Sequence, residues 1–353
     1  MTNRKTTEKL LKKQAELYPC LAPKDAFKFI YQSSFGCEHL AADVDRAEEY
    51  IRRERRGEMT DDAEIEKLDG AYSRVPLSYL GRGLSERTLA RIFCLSARSE
   101  PNGSFDLQSK LDVLRNLTER GEMPFVPSEL SAELLEWERE GYRPIHHSER
   151  FRALYRPAYR VVSDEYVRLL PLLISLDKML EKGRVTLAVE GGSASGKTTL
   201  SGILSTLYEC NIFHIDDFFL PPKMRTADRL REVGGNFDRE RFLGEVLLPH
   251  SRGEKVAYRR YDCSTQTVLS PTLAEPRSLT VIEGAYSMHP ALSDYYDLSV
   301  FLEISPEEQR KRIEKRNTPS IAARYFAEWI PLETRYFEQM SVRDRCDICL
   351  SLP

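Results

Sequence analysis

The chain has 353 residues, more than one compact domain usually holds, so we expect two domains. Its composition is that of a globular protein, with 41% hydrophobic and 30% charged residues, and a formal net charge of -3 gives no sign of the basic footprint typical of nucleic-acid binding. The charged start lacks the apolar segment of a signal peptide, and no apolar run reaches the roughly 18 residues that span a bilayer. These features predict a cytoplasmic protein with neither nucleic acid nor membrane as its partner.

The cysteine content is compatible with a reducing compartment. There are seven cysteines, an odd number, and Cys346 and Cys349 form the one CxxC spacing, within a strand-like run. A redox or metal-binding pair is one interpretation of that spacing. Because no second pair accompanies it, we favour free thiols that pack as small apolar side chains.

The first half of the chain, residues 1–182, has the apolar spacing of amphipathic helices. Four runs carry this pattern: EKLLKKQAEL, KDAFKFIYQSSF, DRAEEYIRRE and LQSKLDVLRNLTERG. A further helix is predicted from an N-cap at Ser163 to about Gly183. The charged stretch 55–66 is predicted to be exposed. Residues 1–182 therefore read as a mostly helical domain.

Two groups of polar residues stand out in this helical half. Cys37, His39 and Asp43 lie in FGCEHLAAD, where His39 and Asp43 would share a helix face, and His146 and His147 lie in a segment rich in arginine and tyrosine. Together they could form a metal or anion pocket, since imidazole, thiolate and carboxylate all ligate metals. Helix caps and hydrogen-bonded core groups are the favoured interpretation, and a surface for the other domain or a second ligand is a third. The function of this half is left open.

The sequence pattern changes at Arg184. Short apolar runs follow, each typical of a buried parallel strand: RVTLAVE, NIFHI, LTVIE and LSVFLEI. Helical patterns such as TTLSGILSTLYE and PEEQRKRIEKRN lie between some of them. Strands that alternate with helices predict an α/β domain with a doubly wound parallel sheet. We place the boundary near residue 183, which divides the chain into 1–182 and 183–353.

A glycine-rich loop connects the first of these strands to its helix. The segment GGSASGKT, Gly191–Thr198, has the spacing of a P-loop, or Walker A motif. Its glycines let backbone N–H groups surround phosphate oxygens, Lys197 reaches the terminal phosphates, and the Thr198 hydroxyl ligates magnesium. We therefore predict ATP and Mg²⁺ as cofactors. The predicted phosphate-binding residues are Gly191, Gly192, Ser193, Ala194, Ser195, Gly196, Lys197, Thr198 and Thr199.

Acidic residues follow two other strands. Asp216 and Asp217 come directly after NIFHI, and Glu283 ends LTVIE. Ligands of open α/β sheets bind at the carboxyl ends of the strands, so these side chains are expected near the loop. Phosphoryl transfer needs a base for the acceptor hydroxyl and acidic groups around the metal. We predict Asp216, with Lys197, as catalytic, and Glu283 and Thr198 in the metal shell. Asp217 either supports that shell or caps the next turn.

One helical run near the end of the chain is rich in arginine. Arg310, Arg312 and Arg316 lie in PEEQRKRIEKRN, and the last two share a helix face because they are four residues apart. Arginines on a lid can stabilise a transferring phosphoryl group, so Arg312 and Arg316 are predicted lid residues. A solvated, salt-bridged helix surface is the alternative.

Several motifs in residues 184–353 resemble those of the uridine kinase group of P-loop kinases, which is related to phosphoribulokinase and bacterial pantothenate kinase. The similar segments are GGSASGKTT, IDDFF, GGNFDRERF, VIEGAY, DLSVFLEISPEEQRKRIEKR and CDICL. The resemblance implies that Asp216 is the base and that Glu283 belongs to the magnesium shell. It also implies that Asp238 holds ribose hydroxyls. The segment Val246–Asp262 is similar to the hairpin that covers the substrate, in which Tyr261 would face the nucleoside.

The resemblance implies a kinase that transfers the γ-phosphoryl group of ATP to a hydroxyl of a nucleoside, uridine-like, or of a related small metabolite. The chain departs from this family at Gln266, where uridine kinases carry a histidine that contacts the base. The open alternatives are a pantothenate, glycerate or sugar-phosphate acceptor, and a nucleotide-dependent regulatory ATPase. Nucleic-acid modification by the first half is a third class that the charge balance does not support. The sequence does not determine an oligomeric state.

Overall fold

A computed structural model describes residues 4–37, 43–55, 63–97 and 103–352. Two compact units are distinguished, Met1–Leu170 and Pro171–Pro353, called here the N-terminal and the C-terminal unit. The division falls before the boundary expected near residue 183, because the helix Leu170–Leu180 groups with the second unit. One contact that ties this helix to its unit is the 2.9 Å hydrogen bond that the Tyr208 hydroxyl donates to Asp177.

The described part of the N-terminal unit consists largely of helices, which confirms the helix-rich prediction. The amphipathic runs form helices because their apolar faces are buried, as at Phe27 and Ile30. The helices are α1 Arg4–Leu17, α2 Pro23–Phe35, α3 Val44–Arg55, α4 Glu86–Ser96, α5 Gly103–Glu119, α6 Pro127–Arg139, α7 Glu149–Tyr155 and α8 Asp164–Val167.

A small antiparallel sheet, which the sequence analysis did not predict, accompanies these helices. Its strands are β1 Glu66–Lys67, β2 Tyr72–Pro76 and β3 Tyr159–Ser163, paired in the order β1-β2-β3. Strand β2 is buried at every position although it contains Ser73 and Arg74. Its polar and apolar residues therefore do not alternate, and the sequence pattern that identifies a half-buried strand is missing.

The single helix predicted from Ser163 to about Gly183 is wrong. Ser163 caps a helix as expected, since its hydroxyl accepts the backbone N–H of Glu165, but that helix, α8, ends at Val167. A new helix, α9 Leu170–Leu180, begins three residues later. Pro171 lies in its first turn, where a residue without an N–H is tolerated, so the proline marks a second helix start.

The C-terminal unit is built on a five-stranded parallel sheet, which confirms the predicted α/β fold. The strands of the unit in chain order are β4 Val185–Gly191, β5 Cys210–His214, β6 Val256–Tyr258, β7 Tyr261–Asp262, β8 Thr267–Val268, β9 Thr272–Ala274, β10 Leu279–Glu283, β11 Leu298–Glu303 and β12 Ile348–Ser351. The sheet has the order β12-β11-β4-β10-β5. Its central strands β4 and β10 are buried throughout, because helices cover both faces of such a sheet.

Short helices connect and flank these strands. They are α10 Lys197–Leu207, α11 Ala227–Arg231, α12 Arg239–Phe242, α13 Leu248–Ser251, α14 Pro306–Arg316, α15 Pro319–Arg324, α16 Ile330–Gln339 and α17 Val342–Arg345. Among the helices that the structure describes, none has the length and apolar character needed to cross a bilayer.

The segment expected to form a substrate-covering hairpin is arranged as two small antiparallel pairs. Strand β6 pairs with β9, and β7 pairs with β8. The prediction started this feature at Val246, but Val246 is buried in a helical turn, Leu243–Leu247, before the first strand. The strands therefore begin ten residues later than the predicted segment.

The sheet order places the predicted site residues on adjacent strands. Strand β10 pairs in register with β4 on one side and β5 on the other, so Glu283 lies beside both Val189 and His214. The glycine-rich loop leaves β4, and Asp216 follows β5 by two residues. Parallel strands all end at one edge, and this edge is where an α/β sheet binds its ligands.

Candidate active site

The glycine-rich loop turns from β4 into α10 in a conformation that requires glycine at its ends. Gly191 has a φ of +147° and Gly196 a φ of +104°, a region that other residues rarely adopt. A Cβ on Gly191 would lie 2.7 Å from the carbonyl oxygen of Leu302. The loop is thus held against β11, and only glycine permits this close approach.

Lys197 and the start of α10 give the loop a positive character. The Lys197 ammonium donates to the carbonyl oxygens of Gly191, at 2.7 Å, and Gly192, at 2.9 Å. The first N–H groups of α10, starting at Lys197, have no partner within the helix and point along its positive end. This combination of a cation and unpaired amides is suited to binding phosphate.

Thr198, Glu283 and His214 meet at the mouth of the loop. The Thr198 hydroxyl donates to Glu283 Oε1 at 3.1 Å, and His214 Nδ1 lies 2.6 Å from the same oxygen. The hydrogen bond to Glu283 raises the pKa of His214 above its ordinary value. Glu283 is 5% exposed, so its carboxylate is held in place by the sheet and by these two donors.

This group fits a magnesium ion of the kind that P-loops hold. Magnesium prefers oxygen ligands, keeps several waters and shares the nucleotide phosphates as ligands, so one hydroxyl and one nearby carboxylate suffice from the protein. Thr198 and Glu283 supply these two groups. Within the described ranges no group of three or more His, Cys, Asp or Glu side chains could hold a metal ion.

Asp216 carries an open carboxylate just after the end of β5. It lies in a single helical turn, Ile215–Phe218, directly after β5, and is exposed to solvent. Its carboxylate makes no hydrogen bond to any residue in the described ranges. The surrounding protein atoms raise the pKa of Asp216, and the nearby Lys197 ammonium partly opposes this. An accessible group with a raised pKa beside a phosphate loop matches the requirements of a general base.

Asp217 is half-buried beside this carboxylate. Burial raises its pKa, and His214 and Arg260 oppose the rise. Its side chain accepts no backbone N–H from the residues that the structure describes, so the helix-cap alternative is not observed. Its carbonyl oxygen accepts a bond from Arg241 at 3.4 Å. That Asp217 supports the magnesium shell stays a prediction.

The residues predicted to hold the substrate are engaged within the protein. Asp238 is 3% exposed, caps α12 through the backbone N–H of Arg241, and accepts a second bond from the Arg241 side chain at 3.1 Å. Tyr261 is 5% exposed, and its hydroxyl accepts a bond from Arg225 at 3.2 Å. Both assignments stay predictions, and both side chains are buried and bonded to an arginine of the protein.

The three arginines of α14 have different surroundings. Arg312 donates to the carbonyl oxygen of Ala194 in the loop at 3.3 Å and to Glu308 at 2.9 Å. Arg316 lies over the ring of Tyr325 at 5.7 Å, and Arg310 lies over the ring of Phe326 at 4.2 Å. Arg312 alone of the three thus contacts the phosphate loop, whereas the other two stack on the adjoining helical segment.

Three buried residues at the loop were missed by the sequence analysis. Glu333 accepts the Ser193 backbone N–H at 2.8 Å and its hydroxyl at 2.7 Å. Glu190 is fully buried, which raises its pKa to about 7, and it accepts bonds from the Gly191 backbone and the Tyr336 hydroxyl. Glu333 and Tyr336 share α16, which therefore contacts the loop at Ser193 and the end of β4 at Glu190. Of the three, only Glu190 could have been recognised from the sequence, because it is a charged residue within an otherwise largely apolar strand.

The polar groups of the N-terminal half are mostly core hydrogen-bonding groups. His147 lies 3.0 Å from Asp25 and 2.8 Å from the Tyr159 hydroxyl, and burial lowers its pKa to about 4. The Cys37 thiol is buried and contacts the Val161 carbonyl oxygen at 3.3 Å. His39 lies outside the described residues. This arrangement agrees with the favoured interpretation of His147 and Cys37 as core groups.

The cysteine pair near the end of the chain is not bonded. All seven cysteines are free, including Cys346, which is half-buried, and Cys349, which is exposed on β12. The expectation that such thiols are buried is therefore wrong for Cys349. No metal-binding cluster involves either one within the described part of the chain.

The C-terminal unit has a P-loop fold of the doubly wound type. Its defining features are the parallel sheet, the strand–loop–helix with Lys197 and Thr198, and the acidic residues at the strand ends.

A search against models of protein families found no match. Among curated proteins, the bifunctional alpha-galactosidase/sucrose kinase AgaSK of Mediterraneibacter gnavus is 30% identical over 169 residues. The match covers 41% of this chain and 18% of that protein, so the chain spans less than a fifth of this relative.

Two solved structures cover about half of the chain. A protein of Bacillus stearothermophilus assigned as a possible uridine kinase is 19% identical with a TM-score of 0.39, and covers 51% of this chain and 100% of its own. A protein of Silicibacter sp. TM1040 described as a putative fructose transport system kinase is 22% identical with a TM-score of 0.40, and covers 50% of this chain and 96% of its own. All three of these similar proteins have the word kinase in their names.

Proposed function

We propose that the C-terminal unit is an ATP- and Mg²⁺-dependent kinase that phosphorylates a hydroxyl group of a small molecule. The observation that carries the proposal is the open carboxylate of Asp216. It has no hydrogen-bond partner in the described chain, and it lies near the Lys197 ammonium and the Glu283 carboxylate at the edge where the phosphate loop leaves the sheet. A protein that only bound nucleotide would need the loop but not this base.

The proposed reaction is an in-line displacement at the γ-phosphorus. The acceptor oxygen forms the new P–O bond as its proton passes to Asp216, and the bond between the γ-phosphorus and the bridging oxygen breaks, which releases ADP. Lys197 and the amides at the start of α10 stabilise the charge on the phosphate oxygens. The surrounding protein atoms partly desolvate the Asp216 carboxylate and raise its pKa, which makes it a better proton acceptor than an ordinary aspartate.

Magnesium would be held by Thr198 and Glu283. When bound, the ion neutralises charge on the β- and γ-phosphates. The residues of this chain orient it, since the Thr198 hydroxyl and one oxygen of Glu283 are 3.1 Å apart and the carboxylate is buried. Arg312, already in contact with the loop at Ala194, is the lid arginine best placed to approach the phosphates.

The acceptor belongs to one of two classes. A nucleoside is the acceptor that the uridine kinase resemblance implies. A sugar is the second candidate, and two observations favour it. The 30% identical relative has sucrose kinase in its name. The residues that would contact the ribose and the base of a nucleoside, Asp238 and Tyr261, are buried and bonded to arginines of the protein. Pantothenate, glycerate and sugar phosphates complete the test set.

The test is ADP release by the purified chain with ATP and Mg²⁺ against a panel of sugars, nucleosides, pantothenate, glycerate and sugar phosphates. The proposal predicts strong stimulation by one acceptor class and its loss in Asp216→Asn. Asp344→Asn, an exposed aspartate on α17, is the matched control and should behave as the wild type. ADP release that is slow and insensitive to every acceptor would instead indicate a regulatory ATPase.

A further inference from the structure

His214 is an imidazole at the phosphate-loop edge to which the proposed reaction gives no role. Its Nδ1 lies 2.6 Å from Glu283 Oε1, the same oxygen that accepts the Thr198 hydroxyl at 3.1 Å. The other oxygen, Oε2, accepts no hydrogen bond from a residue that the structure describes. The carboxylate is therefore fixed from two sides through one oxygen, while the second oxygen stays available.

The position of His214 follows from the sheet. It is the last residue of β5 and pairs in register with Glu283, the last residue of β10, on the neighbouring parallel strand. A strand that slips by one residue would turn one of the two side chains to the other face of the sheet. The strand register, which the backbone hydrogen bonds of the sheet maintain, therefore places the imidazole next to the carboxylate.

The chemistry of the pair assigns the direction of the bond. A carboxylate accepts hydrogen bonds and does not donate them, so Nδ1 must carry the proton. An imidazole is a poor ligand for magnesium, which prefers oxygen. His214 therefore cannot replace Glu283 at the metal, but it can set the orientation of the carboxylate. Groups that orient a metal-site carboxylate in this way are typically worth 10- to 100-fold in metal affinity or activity.

We propose that His214 is a positioning residue that holds the Glu283 carboxylate where, together with Thr198, it receives the magnesium ion of Mg·ATP. The proposal rests on the proposed function, because it assumes that ATP and magnesium bind here. Its quantitative consequence is a change in the magnesium coupling, which is the ratio of the ATP dissociation constants without and with Mg²⁺. A residue that only closed the end of β5 would leave this ratio unchanged.

The experiment is calorimetric titration of the full chain with ATP in EDTA and in excess Mg²⁺. His214→Leu should keep the affinity for metal-free ATP and reduce the magnesium coupling by about 10-fold, the lower end of the range for such groups. His214→Asn should restore the coupling to within about threefold, because its amide N–H sits as far from the backbone as Nδ1 and donates in the same direction. Asn211→Leu, on the same strand and away from Glu283, is the control for strand substitution and should not change the ratio.

The outcomes separate this inference from the proposed function. Wild-type coupling in His214→Leu overturns the positioning role and leaves the kinase proposal untouched. A wild-type chain that binds no ATP, or binds it without any effect of Mg²⁺, overturns the kinase proposal and this inference with it. Circular dichroism checks that the variants are folded, and should leucine disturb folding, His214→Ala is measured in its place and interpreted in the same way.

Discussion

The buried charges of the N-terminal unit and the Asp216 carboxylate at the phosphate loop have opposite surroundings. In the N-terminal unit the buried charges have partners: Asp25 accepts bonds from His147, from the Ser148 backbone and hydroxyl, and from the Ala22 backbone. Arg74 is 2% exposed and bonds Glu66 at 3.0 Å and Gln32 at 2.9 Å, with one nitrogen, Nη2, left without a partner. At the phosphate loop, in contrast, the Asp216 carboxylate is open.

This contrast identifies where chemistry is to be expected. Burying a charge is tolerated when hydrogen bonds and an opposite charge compensate for lost hydration, and such groups then stabilise one conformation. A carboxylate that the protein leaves unpaired beside a lysine can instead accept a proton from a bound molecule. The N-terminal network is therefore interpreted as structural and the phosphate-loop edge as the active site.

The largest effect is expected at the open carboxylate. Asp216→Asn removes the base while keeping the shape, and should lower turnover by about 1000-fold, since a positioned general base contributes roughly 10²- to 10⁴-fold. ATP affinity should stay within about twofold of the wild type, because the loop is unchanged. Steady-state kinetics with the best acceptor, together with calorimetry, check this. Turnover within tenfold of the wild type would remove Asp216 from the mechanism.

The second-largest effect is expected in the hydrogen-bonded network around Arg74 in the N-terminal unit. Arg74→Met leaves Glu66 without its cation and should lower the free energy of unfolding by about 3 kcal/mol, as when one partner of a buried pair is removed. The measurement is denaturant unfolding followed by Trp137 fluorescence in a Trp329→Phe background. Arg115→Met, from an exposed pair with Asp112, is the control and should change stability by less than about 0.5 kcal/mol.

The third effect is a pH dependence of the same network. Burial lowers the pKa of His147 from 6.5 to about 4, so the unfolded chain binds the proton more readily than the folded one. The stability that this contributes is present above pH 6.5 and should be lost as the pH falls to 4, by about 3 kcal/mol. Trp137 fluorescence in the Trp329→Phe chain follows it. His147→Gln should flatten the dependence in this window, and an unchanged slope would contradict the assignment.

The smallest effect concerns the helix that holds the loop. Glu333→Ala removes two bonds to Ser193 and should weaken ADP binding by about 10-fold, because part of the binding energy must then order the loop. Glu338→Ala, exposed on the same helix, is the matched control. Calorimetry with ADP measures both. Equal affinities in the two variants would show that the loop keeps its conformation without α16.

Much of the C-terminal unit could be predicted because its signals are local. The run from Val185 to Gly191 is apolar as a strand buried on both faces must be, and the spacing of Gly191, Gly196 and Lys197 follows from the geometry of a phosphate loop. The N-terminal unit carried weaker signals. Strand β2 contains a buried arginine, and its pattern resembles no half-buried strand.

The sequence by itself determined the P-loop, the parallel sheet and the two acidic strand ends, because each has a recognisable pattern within a short stretch of consecutive residues. Only the tertiary structure decided which distant side chains complete the site. Glu333 reaches Ser193 across 140 positions, and His214 reaches Glu283 across 69. Contacts between residues so far apart depend on strand order and helix placement, and no local pattern encodes them.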